Sequence, residues 1–250
     1  MKMRLRSLWL LVVLAGCPGW GWAADMGAQA GNATANYVPA KLVYLTGNEA
    51  VWSSFPKCAA PGSEKDETDL EITLSIQASR TDAQKAEAEL DKNYNIKLMT
   101  GVISPDFAAK YPNIFAVLRN ANGDDGNITT MIKNENERLR PFVGHPTLVL
   151  PLFFVPDYSY PSGHASGMEV QARLLGTLFP AQAEALRNRA RQVADSRVVA
   201  GVHYTSDTEE GLMLGDLVFT ELEANAKFTA DLEAAAAADG IARESAPGAP

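Results

Sequence analysis

The sequence predicts an all-α domain, and helix-capping patterns, apolar stripes at helical spacing and helix-ending prolines are the observations that predict it. Thr81 to Gln84 form a capping box, which opens a helix that runs to about Lys92. A second predicted helix, Ala165–Phe179, carries one apolar stripe at helical spacing: Met168, Ala172, Leu175 and Phe179. Because such segments recur along the chain, we expect helices around a single core.

Two helices are predicted in the middle of the chain from the signals at their ends. Asn113 is a cap for a helix through Arg119, and the sequence from Gly123 to Gly126 is typical of a turn. A helix over about residues 127–139 follows. Pro141 is expected to end it, because proline disfavours helical geometry at the residue before it.

Two further helices are predicted toward the carboxyl end. One covers about residues 181–195. The other opens at the capping box from Ser206 to Glu209 and runs to about Asp239, where Gly240 closes it. The predicted domain is therefore helical from its first capping box to its last glycine.

Two apolar segments are harder to assign. Leu70, Ile72, Leu74 and Ile76 alternate with polar residues, which favours a strand, yet the absence of Gly and Pro is equally compatible with a helix. Residues 147–155 form a short apolar run broken by a proline, for which we expect a buried connector, because the run is too short to span a bilayer.

The charge balance restricts the expected partners. The 250-residue chain carries 22 Lys and Arg against 30 Asp and Glu, a formal net charge of −8. Nucleic acid is not an expected partner, because its phosphates require a basic surface. Affinity for a small anion must then come from a local cluster of cations.

The first 23 residues have the features of a secretion signal. Three basic residues precede an apolar stretch from Leu8 to Ala15, and Ala23 suits a cleavage site. The apolar stretch is far shorter than the ~20 residues that cross a bilayer, so no transmembrane span is expected. The prediction is a protein exported to the periplasm.

Cys17 permits a second interpretation of the same segment. Leu14 to Cys17 resembles a lipobox, in which the cysteine becomes a lipid-anchored first residue, and the product would then be a membrane-anchored lipoprotein. In either case Cys58, the only other cysteine, has no intrachain partner. A disulfide framework is therefore excluded.

Composition divides the rest of the chain into three parts. Residues 24–65 are rich in Ala, Gly, Asn and Pro and are expected to form an N-terminal arm that packs weakly. Residues 66–240 are the expected main domain, and the tail over 241–250 is expected to be disordered. The sequence leaves the oligomeric state open, a homo-oligomer included.

Three separated blocks contain the residues that point to a chemistry. They are Lys133–Pro141, Pro161–His164 and Ser196–Asp207. Among the groups that they provide are two arginines, a lysine, two histidines, a serine, a glycine and a carboxylate. This set of groups is suited to phosphoryl transfer through a histidine.

The cations of these blocks are expected to surround one anion. Lys133 and Arg140 are seven residues apart, close to two helical turns, so both would point from one face. A solvated basic edge is the alternative for this pair, and it is the interpretation we favour for Arg119 and Arg138. Arg197 is expected to reach the anion from a loop or a bent segment.

The other two blocks would supply the remaining groups. Ser162, Gly163 and His164 open a helix, whose N-terminal N–H groups and partial positive charge suit a phosphate oxygen, although a plain capped turn is the alternative. His203 and Asp207 are four apart. A carboxylate on the Nδ1–H of a histidine fixes the tautomer and leaves Nε2 free as a nucleophile, although the contact is equally compatible with a structural role.

Three further side chains near these blocks have less specific interpretations. His145 lies outside the motifs, and we interpret it as a solvated loop histidine. Tyr158 and Tyr160 precede the second block, where they either line an entrance or simply pack.

The pattern K-x6-R-P, PSGH and S-R-x5-H-x3-D resembles the bacterial class A non-specific acid phosphatases, of the type 2 phosphatidic acid phosphatase and vanadium haloperoxidase superfamily. The resemblance covers Lys133–Asp207 and extends more loosely back to about residue 63. It implies that residues 66–240 are a compact helical phosphatase domain acting on small phosphomonoesters. Ala200 stands where relatives often carry cysteine, but it has no implied role.

The resemblance also implies a role for each residue. The implied phosphate-binding residues are Lys133, Arg140, Ser162, Gly163 and Arg197. His203 would attack phosphorus, Asp207 would orient it, and His164 would protonate the leaving alcohol. No cluster of residues has metal-ligand spacing, so neither a metal nor another cofactor is expected. Because one histidine must be neutral and the other protonated, a bell-shaped pH profile below neutrality is expected.

Three alternatives to a secreted phosphatase remain at this stage. A vanadate-dependent haloperoxidase would use the same cage, and a membrane lipid phosphatase would need an apolar span that the sequence lacks. A non-catalytic phosphate-binding protein would have no use for His164, His203 and Asp207 together.

Overall fold

The computed structural model describes residues 41–241, and every regular element within that range is helical, so the predicted all-α class is confirmed. A short 3-10 turn, Pro180–Gln182, precedes the ninth α-helix. The α-helices are α1 (Glu49–Ser53), α2 (Glu64–Ser79), α3 (Asp82–Leu90), α4 (Lys97–Thr100), α5 (Phe107–Lys110), α6 (Pro112–Asn136), α7 (Pro141–Gly144), α8 (Gly163–Leu178), α9 (Ala183–Val199), α10 (Thr205–Ala224) and α11 (Ala226–Ala238). None of the helices in these residues is long and apolar enough to cross a membrane.

Helix α8 lies at the centre and packs against α6, α9 and α10. It is buried on several sides, which its apolar sequence permits. Two glycines let α10 approach it closely: a Cβ on Gly211 would lie 2.7 Å from the Ser162 carbonyl, and one on Gly215 would lie 2.4 Å from the Ser166 carbonyl. The close approach brings the start of α10 against the start of α8, where the second and third sequence blocks meet.

The predicted turn from Gly123 to Gly126 is wrong, because these residues lie inside α6. Two buried carboxylates in this segment are held by distant partners. Asp124 accepts hydrogen bonds from the backbone N–H groups of residues 43–45, and Asp125 accepts one from the Ser166 hydroxyl. These tertiary contacts offset the ~1 kcal/mol that each mid-helix glycine costs.

The ends of α6 also differ from prediction. The helix begins at Pro112, a favoured first position for proline, and Asn113 donates to Asp239 instead of capping. At the other end the helix stops at Asn136, because Glu137 adopts a left-handed conformation with φ of 49°. The chain therefore turns away from the helix before Pro141.

The ambiguous segment around Leu70 and Leu74 is helical and belongs to α2, which Ser63 caps through the Asp66 N–H. The fully buried residues of this helix are polar, Asp69 and Thr73. The alternation of apolar residues, which favoured a strand, therefore does not mark the buried face of this segment, because that face carries a carboxylate and a hydroxyl.

Two further predictions of helix bounds are corrected. Helix α9 extends to Val199 and so includes Arg197. The predicted last helix is two helices, α10 and α11, because Asn225 ends the first and caps the second by accepting from the Phe228 N–H.

The predicted weak packing of the N-terminal arm is wrong for its described part. From residue 41 onward the arm is anchored on the core by Tyr44, Leu45, Trp52 and Phe55, all buried. The predicted connector over residues 147–155 is only partly buried, with Leu150 and Phe154 exposed. The predictions for the signal, Cys17, residues 24–40 and the tail after Ile241 concern residues outside the described range.

Candidate active site

Lys133 and Arg140 lie on either side of the Glu137 turn, so the prediction that they share one helix face is wrong. Lys133 is in the last turn of α6, and Arg140 precedes α7. Both side chains are buried and both reach Asp157. The Lys133 Nζ lies 3.2 Å from Asp157 Oδ2, and the Arg140 Nη2 lies 2.5 Å from Asp157 Oδ1. Two cations thus flank one carboxylate that the sequence did not single out.

The two cations have further partners in the main chain. Lys133 donates to the carbonyl oxygens of Tyr158 and Ser159, and Arg140 donates through Nε to the Asp157 carbonyl, 2.8 Å away. Burial, with a contribution from Arg140, lowers the pKa of Lys133 to about 8 despite Asp157. Burial would raise the pKa of Asp157, but Lys133 and Arg140 outweigh it and hold that pKa far below its usual range.

His203 is buried beside Arg140. The Arg140 Nη1 donates to the Val202 carbonyl at 2.6 Å and lies 3.0 Å from the His203 Nε2. A guanidinium can only donate, so Nε2 is the acceptor and Nδ1 carries the ring proton in this arrangement. Burial, followed by Arg140 and Lys133, lowers the pKa of His203 well below its usual value. The structure therefore holds this histidine neutral.

Asp207 lies on the Nδ1 side of His203. Its Oδ2 is 3.5 Å from Nδ1, which is longer than a direct hydrogen bond, and the Ser159 hydroxyl donates to the same oxygen at 2.5 Å. The Ser159 Oγ is also 3.5 Å from Nδ1. Helix α10 begins only at Thr205, so a turn and not a common helix brings the two together. Asp207 also accepts from the Tyr204 N–H at 2.8 Å.

The N terminus of α8 faces the same region. Ser162 caps the helix by accepting from the Ala165 N–H at 3.4 Å, and its own N–H donates to the Asp207 carbonyl at 2.8 Å. A cleft of about 280 Å³ opens beside this terminus. Its lining residues are Tyr94, Asn122, Asp125, Gly126, Thr129, Thr130, Lys133, Asp157, Gly163 and His164. The predicted residues Lys133, Gly163 and His164 thus share one cleft.

His164 packs edge-on against Tyr94, with ring centroids 5.4 Å apart. Its Nε2 is buried and has no hydrogen-bond partner among the described residues. Burial, then Arg197 and Arg140, lowers the pKa of His164 to about 3. A second proton, which would make this ring cationic, therefore requires an anion nearby to offset the charges of the arginines.

Arg197 is in the last turn of α9, so the expected loop or bent segment is wrong. It is buried, donates through Nη1 to the Lys92 carbonyl at 3.2 Å and stacks over Phe153. Its Nε has no partner within residues 41–241. Burial, then Arg140, lowers the pKa of Arg197 to about 9. The charges of Arg197 and Arg140 both lower the pKa of His164, although neither arginine lines the cleft beside α8.

The interpretation of Arg138 as a solvated edge is wrong. Its guanidinium is buried and forms ion pairs with three carboxylates, at 2.7 Å with Asp207, 2.8 Å with Asp69 and 3.0 Å with Asp66. It also stacks over the Tyr204 ring. Burial would lower the pKa of Arg138, but Asp207 and Asp69 more than offset it and raise that pKa. Asp66 and Asp69, the two of these carboxylates that belong to α2, are three residues apart, a spacing that puts them on the same face of the helix.

Tyr160, Arg119 and His145 lie outside the cleft beside α8. Tyr160 is buried and donates to the Pro56 carbonyl and to Glu210, so it packs and does not line an entrance. Arg119 is exposed, as predicted. His145 is partly exposed and borders a different cleft, together with Cys58.

The fold and geometry define a helical protein in which buried cations lie beside a His–Asp pair, close to the N terminus of a central helix. The chain is similar to the non-specific acid phosphatase of Salmonella typhi, at 28% identity over 187 residues that cover 70% of this chain and 75% of that protein. It is similar at 27% identity over 203 residues to the Salmonella typhimurium protein of the same name, covering 76% and 81%. The resemblance predicted from the motifs is thereby confirmed. No family model matches the chain.

A solved structure shares the fold. The bacterial vanadium-dependent iodoperoxidase superposes with a TM-score of 0.57 at 16% identity, over 78% of this chain and 60% of that one. At this identity the similarity concerns the fold alone, and it agrees with the predicted all-α class.

Proposed function

We propose that this chain is an exported, periplasmic acid phosphatase that hydrolyses small phosphomonoesters through a phosphohistidine, without a metal. The observation that carries the proposal is the position of the His203 Nε2, 3.0 Å from Arg140 and on the side of the ring away from Asp207. An unprotonated nitrogen next to a buried guanidinium is suited to attack a phosphorus whose oxygens that guanidinium binds. The acid phosphatase relatives support the reaction class.

Substrate binding rests on charge and on free donors. Lys133 lines the cleft, and Arg140 and Arg197 are buried cations whose charges act on its His164. The N terminus of α8 adds the Ser162 hydroxyl and the Gly163 N–H. A phosphomonoester carries nearly two negative charges at neutral pH. Because its transition state spreads charge over the equatorial oxygens, fixed donors of this kind lower the barrier.

The first chemical step uses both histidines. The His203 Nε2 attacks phosphorus, the bond from phosphorus to the ester oxygen breaks, and His164 gives its proton to the departing alcohol. Asp207, reinforced by Ser159, stabilises the charge that develops on the attacked ring. The bound dianion raises the low pKa of His164 by offsetting the surrounding cations, which allows it to carry that proton.

The second step returns the enzyme to its starting state. Neutral His164 accepts a proton from a water molecule, whose oxygen attacks phosphorus while the bond to His203 breaks. Inorganic phosphate leaves. Three fixed cations take the charge-stabilising part that a metal ion plays in other phosphatases, and residues 41–241 contain no cluster of three or more His, Cys, Asp or Glu suited to hold one.

The test is hydrolysis of a chromogenic phosphomonoester in excess chelator. We expect turnover by the wild type and a loss of kcat of at least about 10⁴-fold in His203→Ala, because the nucleophile is removed. His145→Ala is the matched control, since His145 borders a different cleft, and it should retain full activity. A wild type without turnover, or a His203→Ala variant that keeps it, would reject the proposal.

Vanadate distinguishes a phosphatase from the alternative, a haloperoxidase. Because vanadate mimics the transferred phosphoryl group, it should inhibit the phosphatase reaction, and adding peroxide and bromide should give no bromination. Bromination at a rate comparable to phosphate release would favour the alternative.

A further inference from the structure

The carboxylate of Asp157 lies between the two cations that a phosphate would need. Its two oxygens bind different partners, Oδ2 lying 3.2 Å from the Lys133 Nζ and Oδ1 2.5 Å from the Arg140 Nη2. A phosphate group binds the same kind of donors with the same geometry, since a guanidinium pairs equally with carboxylates and phosphates. Asp157 therefore offers these cations an anion that is already part of the chain.

The donors of both cations are largely used in this arrangement. An ammonium has three N–H donors, and Lys133 directs them at Asp157 Oδ2 and at the carbonyls of Tyr158 and Ser159. Arg140 uses Nε for the Asp157 carbonyl and Nη1 for the Val202 carbonyl. The carbonyls are fixed by the backbone, so the Asp157 carboxylate is the partner that a ligand can replace.

Accessibility points to the same group. The side chains of Lys133 and Arg140 are 6% and 3% exposed, whereas that of Asp157 is 37% exposed and lines the cleft. Rotation of one aspartate side chain toward solvent would free both cations without moving the backbone. A phosphate placed there with the carboxylate still present would face a like charge.

We propose that Asp157 is an internal competitor for the phosphate site, which the phosphoryl group of substrate or product displaces. The inference rests on the proposed function. The carboxylate keeps Lys133 and Arg140 paired in the empty site and weakens the binding of every anion by the cost of its own displacement. Retention of the inorganic phosphate product is weakened by the same factor, so Asp157 favours release.

Direct binding of inorganic phosphate to Asp157→Asn tests the proposal by calorimetry. We expect binding about tenfold tighter than in the wild type, which corresponds to about 1.4 kcal/mol. The variant keeps the backbone carbonyls and the side-chain shape. Asp157→Ser serves as a second variant, and Asp106→Asn, an exposed aspartate that does not line the cleft, is the matched control for loss of one negative charge.

A pair of ligands distinguishes displacement from simple repulsion. Phenylphosphonate and its monomethyl ester have similar shapes, but the first is a dianion and the second a monoanion. If the carboxylate is displaced, its removal should tighten both ligands by the same factor. If it stays beside the ligand, the dianion should gain roughly the square of the factor for the monoanion, because repulsion scales with charge.

Equal gains for both ligands support the proposal. Unchanged or weaker phosphate binding in both folded Asp157 variants, or a much larger gain for the dianion, overturns it. Because these measurements record binding and not turnover, they remain decisive if the wild type proves inactive as a phosphatase. A failure of hydrolysis and a failure of displacement are thus separate results.

Discussion

His203 lies between two regions with opposite charge imbalances. On its Nδ1 side is the acidic cluster, defined by Arg138 with Asp66, Asp69 and Asp207. On its Nε2 side is the cationic cage, which consists of three cations, Lys133, Arg140 and Arg197, and one carboxylate, Asp157. In the first region one cation forms ion pairs with three carboxylates. In the second, one carboxylate forms ion pairs with two buried cations, Lys133 and Arg140.

The two regions differ in how replaceable their partners are. In the acidic cluster the counterpart of each carboxylate is a buried arginine or a hydroxyl or N–H of the chain, for example Ser206, which donates to Asp69 at 2.5 Å. In the cationic cage the charged partner of Lys133 and Arg140 is Asp157, which is partly exposed. A buried network whose partners are fixed by the chain contributes to stability, whereas one with an exposed, exchangeable partner is suited to bind a ligand.

The largest expected effect is the loss of Arg138. In Arg138→Met we expect destabilisation by about 3–5 kcal/mol, because Asp69 and Asp207 would keep buried charges without a cation in contact. The free energy of unfolding in urea measures it. Arg173→Met is the control, since Arg173 pairs with Asp216 in a largely exposed position and should cost no more than about 1 kcal/mol. Equal costs for both would contradict the comparison.

The next largest effect concerns activity. Arg140→Met should lower kcat/KM by about 10²–10³-fold, the usual result of removing one preorganised donor to developing negative charge. Its unfolding free energy should change much less than that of Arg138→Met, because its removal also relieves repulsion with Lys133 and Arg197. Arg119→Met, at an exposed arginine, should change neither quantity. If Arg140→Met loses stability but keeps its kcat/KM, Arg140 has a structural role like that of Arg138, and its place in the cationic cage is contradicted.

The sequence predicted the helical class and the three cations of the cage, because capping boxes, apolar stripes and motif spacing are local signals. It did not predict the acidic cluster. Arg138 and Arg140 are two positions apart with the same side chain, and only the left-handed turn at Glu137 and the position of α2 decide which of them binds carboxylates. Asp124 shows the same limit, since contacts with residues 43–45 keep it in a helix that its glycine neighbours disfavour.

Residues outside recognisable motifs were missed for a related reason. Asp157 occupies the cage only because the loop before α8 returns to the end of α6, a contact between positions 24 residues apart in sequence. Ser159 supports Asp207 through the same loop. Local pattern identifies the groups that perform chemistry, while the groups that balance their charge are set by the tertiary fold.

The last effect, and the smallest for one group over one pH unit, is a pH dependence that belongs to the cage side of His203. The pKa of His164 is lowered to about 3 and that of His203 well below its usual value, whereas both are about 6.5 in an unfolded chain. Below pH 6.5 the unfolded chain therefore binds protons that the folded chain does not. Stability should fall as pH decreases from 6.5 toward 4.5, by up to about 1.4 kcal/mol per pH unit for each histidine.

Urea unfolding at pH 6.5, 5.5 and 4.5 measures this slope. His164→Asn and His203→Asn should each reduce it, because each removes a histidine whose pKa is lowered in the folded chain. His145→Asn, outside the site, is the control for the loss of an imidazole. Saturating inorganic phosphate should flatten the wild-type slope, because the bound anion offsets the cations that lower the pKa of His164. A slope that both substitutions leave unchanged would mean that the pKa values of the two histidines are not lowered in the folded chain. A slope that the substitutions reduce but phosphate leaves unchanged would mean that the low pKa values arise from burial alone, and the cage would then not be electrostatically coupled to its histidines.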